Sequence, residues 1–387
     1  MRTIFALRSS VRGVVMRFRT SSTRSSVWTR SEPDLNDLPE SSTPSGRSVP
    51  LSTGRGVDFR RPLRSDQPAL MDGWSAVADS QGLLRAQDAG RLGLTSRDLA
   101  HLVASQDLVH LARGWYSLPF PVLGPPTETL WERRRQLHAA ATRAMVRAYD
   151  GRAVASHHSA LVLNGLPTFA ADLRQVHLTR TTGSQSRRRA GLTIHRAIDG
   201  ATWSDGVIDV SLAVLGTAIT NGEMAGLIAA DAALHRRLAS PESLADVTAL
   251  VAGPGSARVR RVVGHADGRA ESPGETRLRE ALRLMGYRPV PQFAIVDGSF
   301  TALVDLYLEE HRLAIEFDGF VKYGRLDALS TQPTPADVLM AEKVREDHVR
   351  ELGHGLARVT WPDLDLPHQL RQRIEALIRR IRTRRIA

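Results

Sequence analysis

The chain has 387 residues, a net charge of +11 and no cysteine, which excludes disulfides and thiolate metal sites and leaves oxygen or imidazole to hold any metal. Hydrophobic residues make up 42%, enough to bury a core in each of two or three domains. No run reaches the roughly 18 apolar residues that a membrane span needs, so a soluble, cytoplasmic protein with no membrane partner is expected.

Residues 1–31 contain seven Arg, no acid and many Ser and Thr. That composition fits a targeting segment, an unstructured basic leader, or a start placed upstream of a true one at Met71. Residues 32–70 are rich in Ser, Pro, Gly and Arg without apolar periodicity and read as disordered. Residues 1–70 together hold 12 Arg against 6 acidic residues, so only five of the eleven net charges remain for the rest. Bulk charge is therefore a weak argument for nucleic acid. Only two basic residues are lysines, Lys322 and Lys343. In an arginine-rich chain, a retained lysine points to a local need for a different cation.

From Trp74 to Leu84 apolar residues fall at helical spacing, and Ala86 to Leu92 reads as a second short helix ending near Gly93. Thr95 or Ser96 is a natural N-cap for a third helix, with Asp98 in its first turn. Leu108 to Leu111 and Trp115 to Leu118 read as two strands around Arg113-Gly114. Three helices and a hairpin make a winged helix-turn-helix over residues 71–120. The stretches LTSRDLAHLV and LVHLARGWYSLP resemble the N-terminal domain of the AbiEi-type antitoxins of type IV toxin–antitoxin systems. The resemblance implies DNA as a partner, with Ser96, Arg97 and His101 facing the groove and Arg113 at the wing tip. It also implies a cognate toxin protein as a second partner.

Residues 121–268 read as a mixed α/β middle domain, similar to the central region of the same family. It contains a long amphipathic helix from Pro125 to Tyr149, a short helix near Ser156 to Leu163, and strands at Val176–Thr179 and 192–195. Arg187, Arg188 and Arg189 fall in the intervening loop. The His157-His158 pair has no nearby carboxylate or cysteine partner, so it reads as a helix start or core feature rather than a metal site. Residues 211–266 read as helices broken at Gly253-Pro254-Gly255.

The chemistry concentrates in residues 269–387. Ser272-Pro273-Gly274-Glu275 opens a helix to Leu284. Strands follow at Val290–Ile295, Thr301–Leu308 and Leu313–Phe317, then a helix over Ala336–Leu352, a strand over Leu356–Thr360 and a last helix. This α-β-β-β-α-β order, with the stretches SPGETRLRE, VDLYLEEHRLAIEFDG and EKVREDHVRELGHGLARVTW, resembles the PD-(D/E)XK nucleases. The details are similar to their DUF559 and very-short-patch-repair-like branch. The expected fold class is thus α+β and multidomain, ending in a restriction-endonuclease-like core.

Side chains at i and i+2 of a strand share a face, so Glu316 and Asp318 should project together. The turn at Glu310-His311 brings Asp305 alongside. Three converging carboxylates need a cation, and hard oxygen ligands suit Mg²⁺ or Mn²⁺. Glu275 is placed to add a ligand or orient a water, and Gln292 to contact phosphate or water. Asp318 stands where the family pattern has a lysine, so Lys322 and Lys343 are the candidates for that role. The expected function is Mg²⁺-dependent hydrolysis of DNA phosphodiester bonds, in a phage-defence or toxin–antitoxin setting. The alternative is a non-catalytic regulator or antitoxin of AbiEi type with a degenerate nuclease fold.

Overall fold

The computed structural model describes residues 78–91, 93–119, 130–251, 253–319 and 335–386. The protein is mixed α/β and divides between Ala266 and Asp267 into two compact units. No described helix is long and apolar enough to cross a membrane.

The first unit opens with strand β1 (Leu83–Arg85), helix α1 (Ala86–Arg91) and helix α2 (Ser96–Ala104). A hairpin follows, of β2 (Val109–Ala112) and β3 (Trp115–Ser117), turning at Gly114 with φ of +75°. The three strands pair in the order β1-β3-β2. The helix expected to run to Leu84 is not formed over its last residues: Leu83 and Leu84 pair instead with Ser117 and Tyr116. The helical spacing there is outweighed by sheet pairing, which buries both leucines. Residues 74–77, with the start of that expected helix, lie outside the described residues, as do residues 1–70.

Helix α2 starts where its sequence says it should. The Thr95 hydroxyl accepts from the Asp98 N–H (3.2 Å), and the Asp98 carboxylate accepts from the Thr95 N–H (2.7 Å). Leu99 and Leu102 then turn inward with Leu84, Ala89, Leu108 and Leu118. On the other side of the sheet, Leu83 and Trp115 pack on Ala140 and Ala144 of α3 (Leu130–Tyr149). The 71–120 segment thus shares a core with the helix that follows it.

A six-stranded sheet of order β6-β7-β5-β4-β9-β8 carries the rest of this unit. Its strands are β4 (Ala153–Ala155), β5 (Val176–Arg180), β6 (Arg187–Arg189), β7 (Leu192–His195), β8 (Trp203–Ser204) and β9 (Val207–Ile208). The triple arginine expected in a loop is therefore the exposed edge strand β6, paired antiparallel with β7. Edge strands rich in cations resist further pairing, which explains why such residues tolerate a strand here. Helix α4 (His157–Leu163) follows β4, and α5 (Val210–Asn221), α6 (Glu223–His235), α7 (Pro241–Thr248) and α8 (Ser256–His265) complete the unit.

The second unit runs α9 (Pro273–Leu284), β10 (Val290–Asp297), β11 (Phe300–Leu308), β12 (Leu313–Phe317), α10 (Pro335–Glu351), β13 (Gly355–Val359), α11 (Trp361–Asp365) and α12 (Pro367–Ile386). The single last helix expected from sequence is divided at Leu366, before Pro367. The sheet order is β10-β11-β12-β13, antiparallel until the final parallel pair of β12 and β13. One apolar cluster joins Leu278 and Leu282 of α9, Leu306, Leu308, Leu313 and Ile315 of the sheet, and Leu370 and Ile374 of α12. A second joins Ile295, Val304, Tyr307 and Ala314 to Val349 of α10. The sheet is thus a middle layer with helices on both faces, and its inner strands β11 and β12 carry Asp305 and Glu316.

Candidate functional site

The start of α9 fixes the first acid. Ser272 caps the helix, its hydroxyl accepting from the Glu275 N–H at 3.2 Å, and Pro273 occupies the first turn. Gly274 comes next, where a Cβ would collide with the Phe317 ring, so any other residue forces the ring or the helix to shift. The backbone therefore rests directly on the Phe317 ring, which also meets Trp361 edge-on at 4.9 Å. This contact sets Glu275 against the strands. Its Oε2 accepts from the Glu271 N–H (2.9 Å) and from Nε2 of Gln292 (3.0 Å).

The second acid comes from β11. Gln292 and Asp305 sit opposite one another, between the pairs Pro291–Leu306 and Phe293–Val304. Gln292 has φ of +52°, in the left-handed region that a side chain seldom adopts. That conformation accompanies the turn of its amide toward Glu275. Asp305 Oδ2 accepts from the Phe317 N–H at 2.7 Å. Burial pushes the Glu275 carboxyl well above the carboxylate range, and the neighbouring Asp305 adds to it. Asp305 is pushed up by its own burial, with Glu316 and Glu271 raising it further and the Phe317 N–H opposing. Two carboxyl groups are thus held where neither ionises easily unless a cation joins them.

The third acid, Glu316, faces α10. Arg345 Nη2 lies 2.6 Å from its Oε1 and 2.8 Å from Glu342 Oε1. Arg358, paired across the sheet with Glu316, reaches Glu342 at 2.8 Å and also bonds Glu346. Oxygens of Glu316, Glu342 and Glu346 all lie within 4.8 Å of one another. Burial opposes the charge of Arg345, yet Glu342 and Glu316 together hold its guanidinium above its usual range. Three carboxylates and two guanidinium groups form a nearly balanced network beside the Glu275–Asp305 pair.

The expected residues divide accordingly. Glu275, Gln292, Asp305 and Glu316 come together. Asp318 lies beyond the end of β12, its N–H donating to the Val359 carbonyl at 2.8 Å, and the close group of Glu316, Glu342 and Glu346 includes neither it nor Asp305. The strand as formed ends at Phe317, one residue before Asp318. Lys343 is exposed on α10. Two helical positions separate it from Arg345, a rotation of roughly 200°, so it points away from Glu316. Arg345 occupies the place expected of that lysine. Lys322 lies outside the described residues. Glu342 and Glu346 are not singled out by the sequence, in which Arg345 and Arg358 read as DNA-backbone contacts or, more commonly, exposed arginines. Arg345 and Arg358 meet Glu316 across 29 and 42 residues of sequence, beyond any local spacing.

In the first unit, Ser96, Arg97 and His101 are exposed on α2, and Arg113 is exposed at the β2–β3 turn. Arg97 and His101 are one helical turn apart on the face opposite Leu99 and Leu102.

Comparison of the sequence with protein-family models and with curated proteins returned no match.

Proposed function

We propose that residues 267–387 form a divalent-cation-dependent nuclease domain that hydrolyses DNA phosphodiester bonds. The observation that carries this reading is the close Glu275–Asp305 pair, Glu275 buried and Asp305 half-buried, with Glu316 at its edge. Burying two acids together costs stability that packing alone would not demand. An all-oxygen donor set of Asp305, Glu316 and Glu275 fits a hard cation such as Mg²⁺ or Mn²⁺. When bound, such an ion neutralises the acids, polarises a phosphate oxygen and lowers the pKa of a water. The element order of this unit is the α-β-β-β-α-β order on which the resemblance to PD-(D/E)XK nucleases rests, which supports the reading by analogy.

The chain's own residues have separable parts to play. Gln292 holds the Glu275 carboxylate in one orientation through its amide. The Phe317 N–H does the same for Asp305, so neither acid needs to reorganise when its charge changes. Glu275, held by the Glu271 N–H and the Gln292 amide, would complete the donor set or orient the attacking water. Arg345 supplies a fixed positive charge that stabilises charge on phosphate, but its proton is too tightly held to serve in acid–base exchange.

The first unit supplies the DNA contact in this reading. The order β1-α1-α2-β2-β3 with sheet order β1-β3-β2 supports a winged helix-turn-helix, with Ser96, Arg97, His101 and Arg113 on its open face.

One observation favours the second reading, a non-catalytic DNA-binding regulator. Arg345 and Arg358 already neutralise Glu316, as a permanent replacement for a cation would. Cleavage of supercoiled and single-stranded DNA with Mg²⁺ or Mn²⁺ decides between them. Metal-dependent nicking by the full chain, abolished by Glu316→Gln and by Asp305→Asn, is expected. Duplex binding without cleavage on any substrate would establish the regulator.

A further inference from the structure

A second constellation lies wholly in the first unit. Its residues are spread over 38 positions, so the sequence gives only the adjacent His157 and His158. The structure adds His177 from β5 and His195 from β7, which run side by side in parallel. His177 Nδ1 and His195 Nε2 are 2.9 Å apart. The His157 ring stacks on His195 with centroids 3.8 Å apart. One ring nitrogen of each of the three lies within 4.8 Å of the other two.

Several features go beyond what a packed histidine core requires. His157 has φ of +52°, a strained conformation for a residue with a side chain. Its ring occupies space kept open by Gly216 of α5, where a Cβ would lie 2.9 Å from Cδ2. Its Nδ1 is 3.0 Å from the Ser156 hydroxyl, which orients the ring. Behind His177, the Ser159 hydroxyl accepts from the His177 N–H (2.8 Å) and lies 2.9 Å from His138 Nε2. His177 and His195 keep partial exposure, which leaves a path for an ion from solvent.

We propose that His157, His177 and His195 form a binding site for a divalent ion of the zinc class, with a fourth position open to water. Three imidazoles and no carboxylate select Zn²⁺, Co²⁺, Ni²⁺ or Cu²⁺ over Mg²⁺. With Zn–N bonds of about 2.0–2.1 Å, tetrahedral ligand nitrogens stand roughly 3.3 Å apart. The 2.9 Å His177–His195 separation therefore needs to open only slightly, and the hydrogen bond between them is exchanged for two bonds to the ion. This site is separate in chemistry and in position from the carboxylates of the second unit.

The test is Co²⁺ titration of tag-free, chelator-stripped full chain in excess Mg²⁺, which saturates carboxylate sites. One equivalent of Co²⁺ should give the visible bands of a four-coordinate ion, and one equivalent of Zn²⁺ should displace it. His177→Ala and His195→Ala should each weaken binding on the order of 100-fold or more, while Glu316→Gln leaves it unchanged. Zn²⁺ should also raise the Tm of the wild type and not that of the histidine variants. If an alanine variant fails to fold, His195→Gln, which keeps a polar partner for His177, replaces it. Absence of stoichiometric Co²⁺ or Zn²⁺ binding by the wild type would overturn the proposal. So would binding that survives both histidine substitutions or disappears only with Glu316→Gln.

Discussion

Asp305 illustrates how a single residue can oppose stability and serve a site. Its carboxyl is raised by burial and by Glu316, and it raises Glu275 in turn. Against this stand the charge of Arg345 and the Phe317 N–H, a hydrogen bond that the amide oxygen of an asparagine accepts as well. In chelator, Asp305→Asn should therefore raise Tm by a few degrees, about 1 kcal/mol or more. Mg²⁺ should stabilise the wild type and not the variant. Calorimetry with and without Mg²⁺ reads both effects, and an Asp305→Asn protein less stable than wild type in chelator would refute the idea of stored repulsion.

His138 makes the opposite contribution. It is buried, with Nδ1 2.8 Å from the Leu173 carbonyl and Nε2 2.9 Å from the Ser159 hydroxyl. Those partners fit a neutral ring that donates from Nδ1 and accepts at Nε2. Burial, with His158 nearby, lowers its pKa to about 3. In the unfolded chain an imidazole titrates near 6.5. Between about 6.5 and about 3 the unfolded state holds the extra proton, so stability falls as pH drops through that window and is unaffected above it. The slope is up to about 1.4 kcal/mol per pH unit for this residue alone. Urea midpoints of metal-free protein at pH 7, 6 and 5 check this. Because the raised Glu275 and Asp305 carboxyls titrate over the same range with the opposite sign, the profile is compared with that of His138→Gln, and equal slopes in the two proteins would contradict it.

At the scale of elements, the sequence was most informative where one local rule decides the outcome. Ser272-Pro273 starts α9, the Thr95–Asp98 pair starts α2, and Leu313–Phe317 is a strand as its apolar run suggests. It was misleading where distant pairing decides. Leu83–Arg85 joins a sheet through Trp115–Ser117, and Arg187–Arg189 gains strand structure only from β7. The candidate site follows the same division. Glu275, Gln292, Asp305 and Glu316 lie in motifs readable along the chain. The Arg345 and Arg358 contacts, and the meeting of three histidines, exist only once α10, the sheet and α4 are in place. Gly274 is the joint between these levels, because α9 can approach β12 only without a Cβ. Gly274→Ala should cost about 1–3 kcal/mol by forcing Phe317 or α9 to move. It should also reduce cleavage more than a surface substitution of equal stability cost, because Glu275 is the next residue. Urea denaturation paired with the DNA assay separates the two effects. An unchanged midpoint would show that Phe317 turns aside freely.

For the whole molecule, the division at Ala266 and Asp267 sorts the chemistry as well as the cores. The first unit has the imidazole cluster and the exposed Arg97, His101 and Arg113; the second has the carboxylates and their arginines. Imidazole nitrogen and carboxylate oxygen favour different ions, so two metals should leave separate marks on one chain. Hydrogen exchange followed by mass spectrometry makes this visible residue by residue. Zn²⁺ should slow exchange in β5, β7 and the start of α4. Mg²⁺ should slow it at the start of α9 and along β11 and β12. Each ion binds only the folded form of its own site, so protection should scale with the logarithm of its concentration above Kd. Mg²⁺ protection that vanishes in Glu316→Gln while Zn²⁺ protection persists would assign the two ions to the two units independently. Protection by both ions in the same peptides would instead mean that one site accepts either metal, and the division of chemistry between the units would fail.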